Sequence, residues 1–139
     1  MGYSTDFSGA LYFTKELKAS EITKLGSFLG ADCREHPEWG QSDLTYIDLK
    51  FLNDFSGLEW NGREKTCELI EKINLIIKEM KKFFPDFGLS GSMLAQGEDI
   101  EDRWNLVVEN NIAKRVDILM VGDKIECPHC GEYFYLETK

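Results

Sequence analysis

Histidine is scarce in this chain, and basic charge falls well short of acidic charge. Two histidines, His36 and His129, occur in 139 residues. A metal-dependent hydrolase ordinarily draws on more, so that class starts with little to build on. Lysine and arginine number 16 against 25 aspartates and glutamates, a net charge of −9. Nucleic-acid binders usually carry a basic footprint, which the chain as a whole lacks. No run of about eighteen apolar residues is present, so no membrane span is expected. The opening Met1-Gly-Tyr-Ser-Thr-Asp has neither a basic region nor an apolar stretch, so no signal peptide is expected. Asp6 stands where a myristoylation signal requires Ser or Thr. Also missing are a nucleophile elbow, a Walker loop, a dinucleotide glycine motif and an HExxH pair. Gly88-Leu-Ser-Gly-Ser92 lacks the lysine or helix start that would make it a phosphate cradle.

What is present describes one ordinary globular domain. Hydrophobic residues make up 42% and mean hydropathy is −0.33, both usual for a soluble fold. Four cysteines without a leader point to a reducing cytosol, where they serve as buried thiols or metal ligands. The acid surplus suits solubility, and it equally suits docking on a basic partner.

Hydrophobic periodicity sets out the elements. Phe7, Gly9, Leu11 and Phe13 alternate with smaller or polar residues, which predicts a strand over 6–13. Ser20-Glu21 opens a helix with Ile22, Leu25, Phe28 and Leu29 on one face and Gly30 at its end. Residues 31–43 read as a loop. Thr45, Ile47, Leu49 and Phe51 predict a second strand, and Leu58–Trp60 a short returning one after the Asn53–Gly57 turn. Asn61 and Glu64 resemble a capping box opening a long helix, with Leu69, Ile70, Ile73, Ile76, Ile77, Met80, Phe83 and Phe84 as its apolar stripe. The same pattern places Lys72 and Glu79 on its polar face and Cys67 inside as a buried thiol. Three strands follow around Leu89–Ala95, Trp104–Val108 and Ile112–Ile118, the last two joined at Asn110-Asn111. The order β-α-β-β-α-β-β-β predicts an α+β fold: an antiparallel sheet with two helices on one face, compatible with a ferredoxin-like arrangement. Residues 1–120 form the domain and 121–139 a short knuckle-like tail hairpin.

The tail carries Cys127-Pro-His-Cys130-Gly131, a tight turn that aims two thiolates at one metal. Structural zinc needs four ligands, and no second CxxC exists. Cys33 and His36, spaced C-x-x-H, would complete a Cys3His set with Cys127 and Cys130. Two tails sharing one zinc across a homodimer, or a turn without metal, fit the spacing as well. Any such zinc would be structural. A second cluster, Glu98, Asp99, Glu101 and Asp102, offers four carboxylates to Mg²⁺ or Ca²⁺ but does not match the EF-hand pattern, and a solvated turn explains it equally. Trp39, in the 31–43 loop, is the expected exposed anchor, whereas Trp104 falls on an apolar strand face.

Gly2-Tyr-Ser-Thr-Asp-Phe-Ser-Gly9, Gly57-Leu-Glu-Trp-Asn-Gly62 and Gln96-Gly-Glu-Asp99 with Asp102 resemble the GY-T-DF-G, GLEWDG and QGED-x-x-D motifs of a family of small tailed-bacteriophage and prophage proteins. Asn61 stands where that motif has Asp. The resemblance spans residues 2–111 and implies a mobile-element context and action in the host cytoplasm. It carries over no catalytic residue, because the family has no assigned activity.

Three functions are therefore carried forward. The first is a phage-type accessory protein that binds a host or phage protein, a basic one among the candidates, through Glu98, Asp99, Glu101, Asp102 and Trp39, in counter-defence or host takeover. The second is a zinc-stabilised module that contacts nucleic acid or the transcription apparatus. The third is a divalent-metal hydrolase using the 98–102 cluster.

Overall fold

Phe7 and Leu11 turn inward along the first strand, and Asp6, Ser8 and Tyr12 face out. That alternation forms β1 (Thr5–Phe13). The computed structural model of the chain describes residues 5–63, 66–99 and 101–117, and the backbone of 124–126 and 133–135. After β1 come α1 (Ala19–Gly26), two single 3₁₀ turns at Cys33–Glu35 and Pro37–Trp39, β2 (Leu49–Phe51) and β3 (Gly57–Trp60). Then follow α2 (Leu69–Phe83), β4 (Leu89–Gly97), β5 (Arg103–Glu109) and β6 (Ile112–Asp117).

The sheet runs β2-β3-β1-β4-β5-β6, with every neighbouring pair antiparallel. β1 lies between β3 and β4, α1 leads from β1 to β2, and α2 leads from β3 to β4. That is the split β-α-β order of a ferredoxin-like sheet, extended by the β5–β6 hairpin. The α+β architecture expected from the sequence is the one observed. Leu11 pairs with Leu58 and Gly91, and Met93 with Leu106. These inward residues join Leu25 and Phe28, and Ile73, Ile76 and Met80 of α2, in a single core. Burying each large aliphatic side chain there is worth about 1.5–3 kcal/mol.

Several boundaries differ from the sequence reading for local reasons. α1 starts at Ala19, because Glu21 Oε1 accepts the Lys18 N–H at 3.1 Å and so caps the first turn. α2 starts only at Leu69. Asn61 instead accepts the Arg63 N–H at 3.0 Å, closing a local turn rather than capping a helix. The strand expected from Thr45 is regular only over Leu49–Phe51; Tyr46 makes an isolated bridge to Asp32, and Ile47 exchanges backbone hydrogen bonds with Gly30 and Ala31. Asn110 and Asn111 both take positive φ, 52° and 62°, the geometry of a two-residue hairpin turn.

The β6 edge is covered at its start. Asn74 of α2 accepts the Ala113 N–H at 2.8 Å and donates to the Ala113 carbonyl at 3.1 Å. One side-chain amide thus stands in for a neighbouring strand and blunts an edge that would otherwise invite pairing. In the tail, β7 (Lys124–Glu126) pairs antiparallel with β8 (Tyr133–Tyr135), matching the expected hairpin. Residues 127–132, with Cys127, His129 and Cys130, lie outside the described residues.

At Gly57 the backbone of β1 leaves no room for a side chain. A Cβ there would overlap the carbonyl of Leu11 and press on Tyr12 Cα, backbone that cannot swing aside. Gly57→Ala is expected to cost about 1–3 kcal/mol, read as a lower urea midpoint at unchanged slope. A midpoint equal to wild type would show that β1 and β3 are not so close.

Candidate functional site

Two adjoining grooves open at the Phe13 end of β1, on either side of the 14–18 connection into α1. The larger, about 460 Å³, has an apolar floor of Phe13, Leu17 and Ile22 and a wall formed by Asp54, Phe55 and Ser56. The smaller, about 240 Å³, runs from Lys18 and Ser20 to Phe83, Phe84, Pro85 and Asp86 at the end of α2. Lys15 lines both. Phe55 and Phe83 are 50% and 59% exposed, unusual for so large an apolar ring.

Phe55 is held in place from below and from the side. Its φ of 59° is a left-handed conformation that bulky residues seldom adopt. Asp54 Oδ1 accepts both the Ser56 N–H at 3.0 Å and the Ser56 hydroxyl at 2.6 Å. Phe55 N–H donates to the Leu52 carbonyl at 2.9 Å. Beneath it runs a line of rings: Phe55 on Phe51 at 5.1 Å, Phe51 on Phe13 at 6.5 Å, Phe13 on Phe87 at 6.1 Å. Phe87 is fully buried, so the line joins core to surface. Ser56 hydrogen bonds hold the Asp54 carboxyl below its usual range, so it stays ionised at neutral pH. Lys15 reaches the buried Glu21 carboxylate at 3.4 Å. On the other wall, Lys24 Nζ stands 4.3 Å from the Phe83 ring centre.

The opposite end of the sheet, about 26 Å away along the nine residues of β1, holds the acidic turn. Gln96 organises it: its side-chain amide donates to the carbonyls of Asp99 (3.0 Å) and Gly97 (3.1 Å) and lies 3.4 Å from that of Asp102. Gly97 N–H closes on the Asp102 carbonyl at 2.8 Å. Glu98, Asp99 and Glu101 are therefore carried on an ordered turn at the surface, with Asp102 half-buried. The Gln of the QGED motif has a structural reason.

A buried polar cluster at this end went unread in the sequence. Lys72 has 0% exposure and donates to Thr45 Oγ1 at 3.2 Å; it was expected on the outer face of α2. Segment 44–48 lies against the start of α2 and covers it, which an amphipathic stripe alone does not reveal. Glu79, also expected outside, is buried and paired with Lys82 at 2.7 Å. Cys67 corrects in the other direction: it is exposed ahead of the helix, with Sγ 3.8 Å from Thr45 Oγ1. Asp48 is buried, with Arg63 Nε at 3.7 Å. Arg63 also lies over the Tyr46 ring at 3.9 Å, and Thr66 accepts the Trp60 indole N–H at 2.8 Å. These contacts join Thr45, Tyr46 and Asp48 to Arg63, Cys67 and Lys72.

The expected anchor Trp39 is not exposed. It is 7% accessible, packed on Phe28 at 4.9 Å and stacked with His36 at 4.0 Å. Its loop folds inward because the 3₁₀ turn at Pro37–Trp39 points the indole into the core. His36 Nδ1 lies 3.0 Å from Glu38 Oε2. Cys33 is fully buried, and burial raises its thiol pKa, which favours the neutral form over the thiolate a metal needs. Among the described residues, no three His, Cys, Asp or Glu side chains come together as a metal-binding group. Nor is any described helix long and apolar enough to cross a membrane. No protein-family model, no curated protein and no solved structure matches this chain.

Burial raises the pKa of Asp48 more than Thr66, Lys72 and Arg63 lower it. Its folded pKa then lies above its unfolded value, so the ionised form costs stability at neutral pH. The cost disappears as pH falls through the folded pKa. Wild-type stability is therefore expected to rise relative to that of Asp48→Asn as pH falls from near 7 toward the unfolded carboxylate range of about 3.9. Urea titrations of both proteins across pH check this; a difference that moves in favour of Asp48→Asn in acid would contradict it.

Proposed function

We propose that this protein works by contact: a small accessory protein that binds another protein, with the paired grooves as its contact surface. The resemblance of residues 2–111 to phage and prophage proteins supplies the setting, the cytoplasm of a bacterial host. The observation that carries the reading is Phe55, a half-exposed ring kept at positive φ beside a groove that Phe13, Leu17 and Ile22 also line. A strained, solvent-facing aromatic persists only where the surrounding structure over-determines it, and such places cluster at ligand clamps. Rigid aromatic anchors beside a hydrophobic seat are also where protein–protein binding energy concentrates.

Glu98, Asp99 and Glu101 of the acidic turn form a further exposed patch among the described residues, separated from the grooves by the length of β1. It supports a net field favourable to basic partners rather than a second anchor, since it offers carboxylates without an apolar seat.

The test compares variants in one lysate. Immobilised wild-type protein, in bacterial lysate at low ionic strength, is expected to retain a partner that Phe55→Asp retains about tenfold or more weakly. Val116→Asp, on the exposed outer side of β6, is expected to retain it as wild type does. Equal retention by Phe55→Asp and wild type would remove the groove from the account.

A further inference from the structure

We propose that the occupant of the paired grooves is a basic segment of another protein that places two apolar side chains in the two seats. This rests on the contact reading above and adds the chemistry of the partner.

The charges around the grooves argue for it. Together their linings hold two lysines, Lys15 and Lys18, and four carboxylates, Glu16, Glu21, Asp54 and Asp86. Lys15 and Glu21 form an ion pair at 3.4 Å, with Glu21 buried. What faces the solvent is then Lys18, and Lys24 over the Phe83 ring at 4.3 Å, against Glu16, Asp54 and Asp86. None of these three carboxylates has an ion-pair partner among the described residues. The surplus is local, and it has the same sign as the chain's net −9. A cationic segment gains both the near contacts and the long-range attraction; an anionic one meets repulsion from each.

The apolar surface argues for two anchors. The larger groove offers a seat between Leu17, Ile22 and Phe55, and the smaller one a seat against Phe83, Phe84 and Pro85. Lys15 lines both and so lies between the two seats. A hydrophobic residue in each seat would cover Phe55 and the part of Phe83 that Lys24 leaves open, and the flanking lysines or arginines of the partner would meet Glu16, Asp54 and Asp86. Charge gives orientation and rate, and the rings give affinity.

The experiment uses the full chain, isotope-labelled, and three synthetic hexapeptides followed by amide chemical shifts. One peptide holds four lysines with a phenylalanine and a leucine. The second replaces the lysines by glutamates, and the third replaces the two apolar residues by serines. The lysine peptide is expected to shift the amides of Leu17, Ile22, Phe55 and Phe84. It should bind about tenfold or more tightly than the glutamate peptide, and lose several-fold in affinity between about 0.05 and about 0.3 M salt. Glu16→Gln combined with Asp54→Asn should weaken it about threefold or more. Asn keeps the acceptor that Ser56 needs, so an unchanged spectrum elsewhere certifies the fold. Equal or tighter binding of the glutamate peptide at the same amides overturns the basic partner and leaves the groove reading intact. Equal binding of the serine peptide overturns the two anchors. No shift at these amides with any peptide overturns the inference and weighs against the groove reading with it.

Discussion

Leu11 has no accessible surface, and it sits in the middle of β1 between Leu58 of β3 and Gly91 of β4. The rest of the molecule depends on that one-sided burial. β1 is the central strand of the split β-α-β unit, so its inward residues must be covered from both directions of the sheet. α1 and α2 provide the cover on a single face. The opposite face keeps Asp6, Ser8 and Tyr12 in solvent. Because side chains alternate strictly, a slip of one residue would turn Phe7 and Leu11 outward and bury Asp6, so the register is firmly set. Gly57 then lets β3 close on β1 where a side chain would not fit. The end of β1 is fixed by these constraints, and with it the place where Phe13 meets the turn at 53–56.

The grooves follow from the same geometry. Phe13 is the last residue of β1, half-buried, and it passes packing outward from Phe87 to Phe51 and Phe55. Each ring pair is worth about 0.5–1.5 kcal/mol beyond its buried area. That is similar to the cost of about 1–3 kcal/mol for a residue in a sparsely populated backbone region. The Asp54–Ser56 hydrogen bonds add to the hold. The strain at Phe55 is thus offset locally, and a large ring is left facing water with little freedom. Binding through it would lose little entropy, which is the physical advantage of a preorganised anchor.

The sheet and its order of elements were legible because alternation is a strong signal. β1, β4, β5 and β6 fall where Phe7 to Phe13, Leu89 to Ala95, Trp104 to Val108 and Ile112 onward predict them. The Asn110-Asn111 turn was legible because two consecutive asparagines tolerate positive φ. Other features were hidden because they depend on contacts far apart in sequence. Lys72 reads as a surface residue until Thr45, 27 positions away, is found beside it. Trp39 reads as a loop residue until Phe28 and His36 are seen to enclose it. Asn61 matches a capping pattern, yet a local turn at Arg63 takes its side chain first. The grooves themselves had only a faint signal: Asn53-Asp-Phe-Ser-Gly57, a turn with a phenylalanine at a position where glycine or asparagine is more usual. The zinc question rests on Cys127 and Cys130, outside the described residues, while Cys33 takes its place in the core.

Everything functional in this account requires that Phe55 be held rigidly in its left-handed conformation before any partner arrives. Backbone ¹⁵N relaxation on the free protein measures that directly. The expected order parameter at Phe55 is about 0.85, equal to that of the sheet, with the short amide-to-Hα contact that positive φ produces. An order parameter below about 0.6 at residues 53–56 would contradict it, because a tip that moves freely stores no strain and presents no anchor.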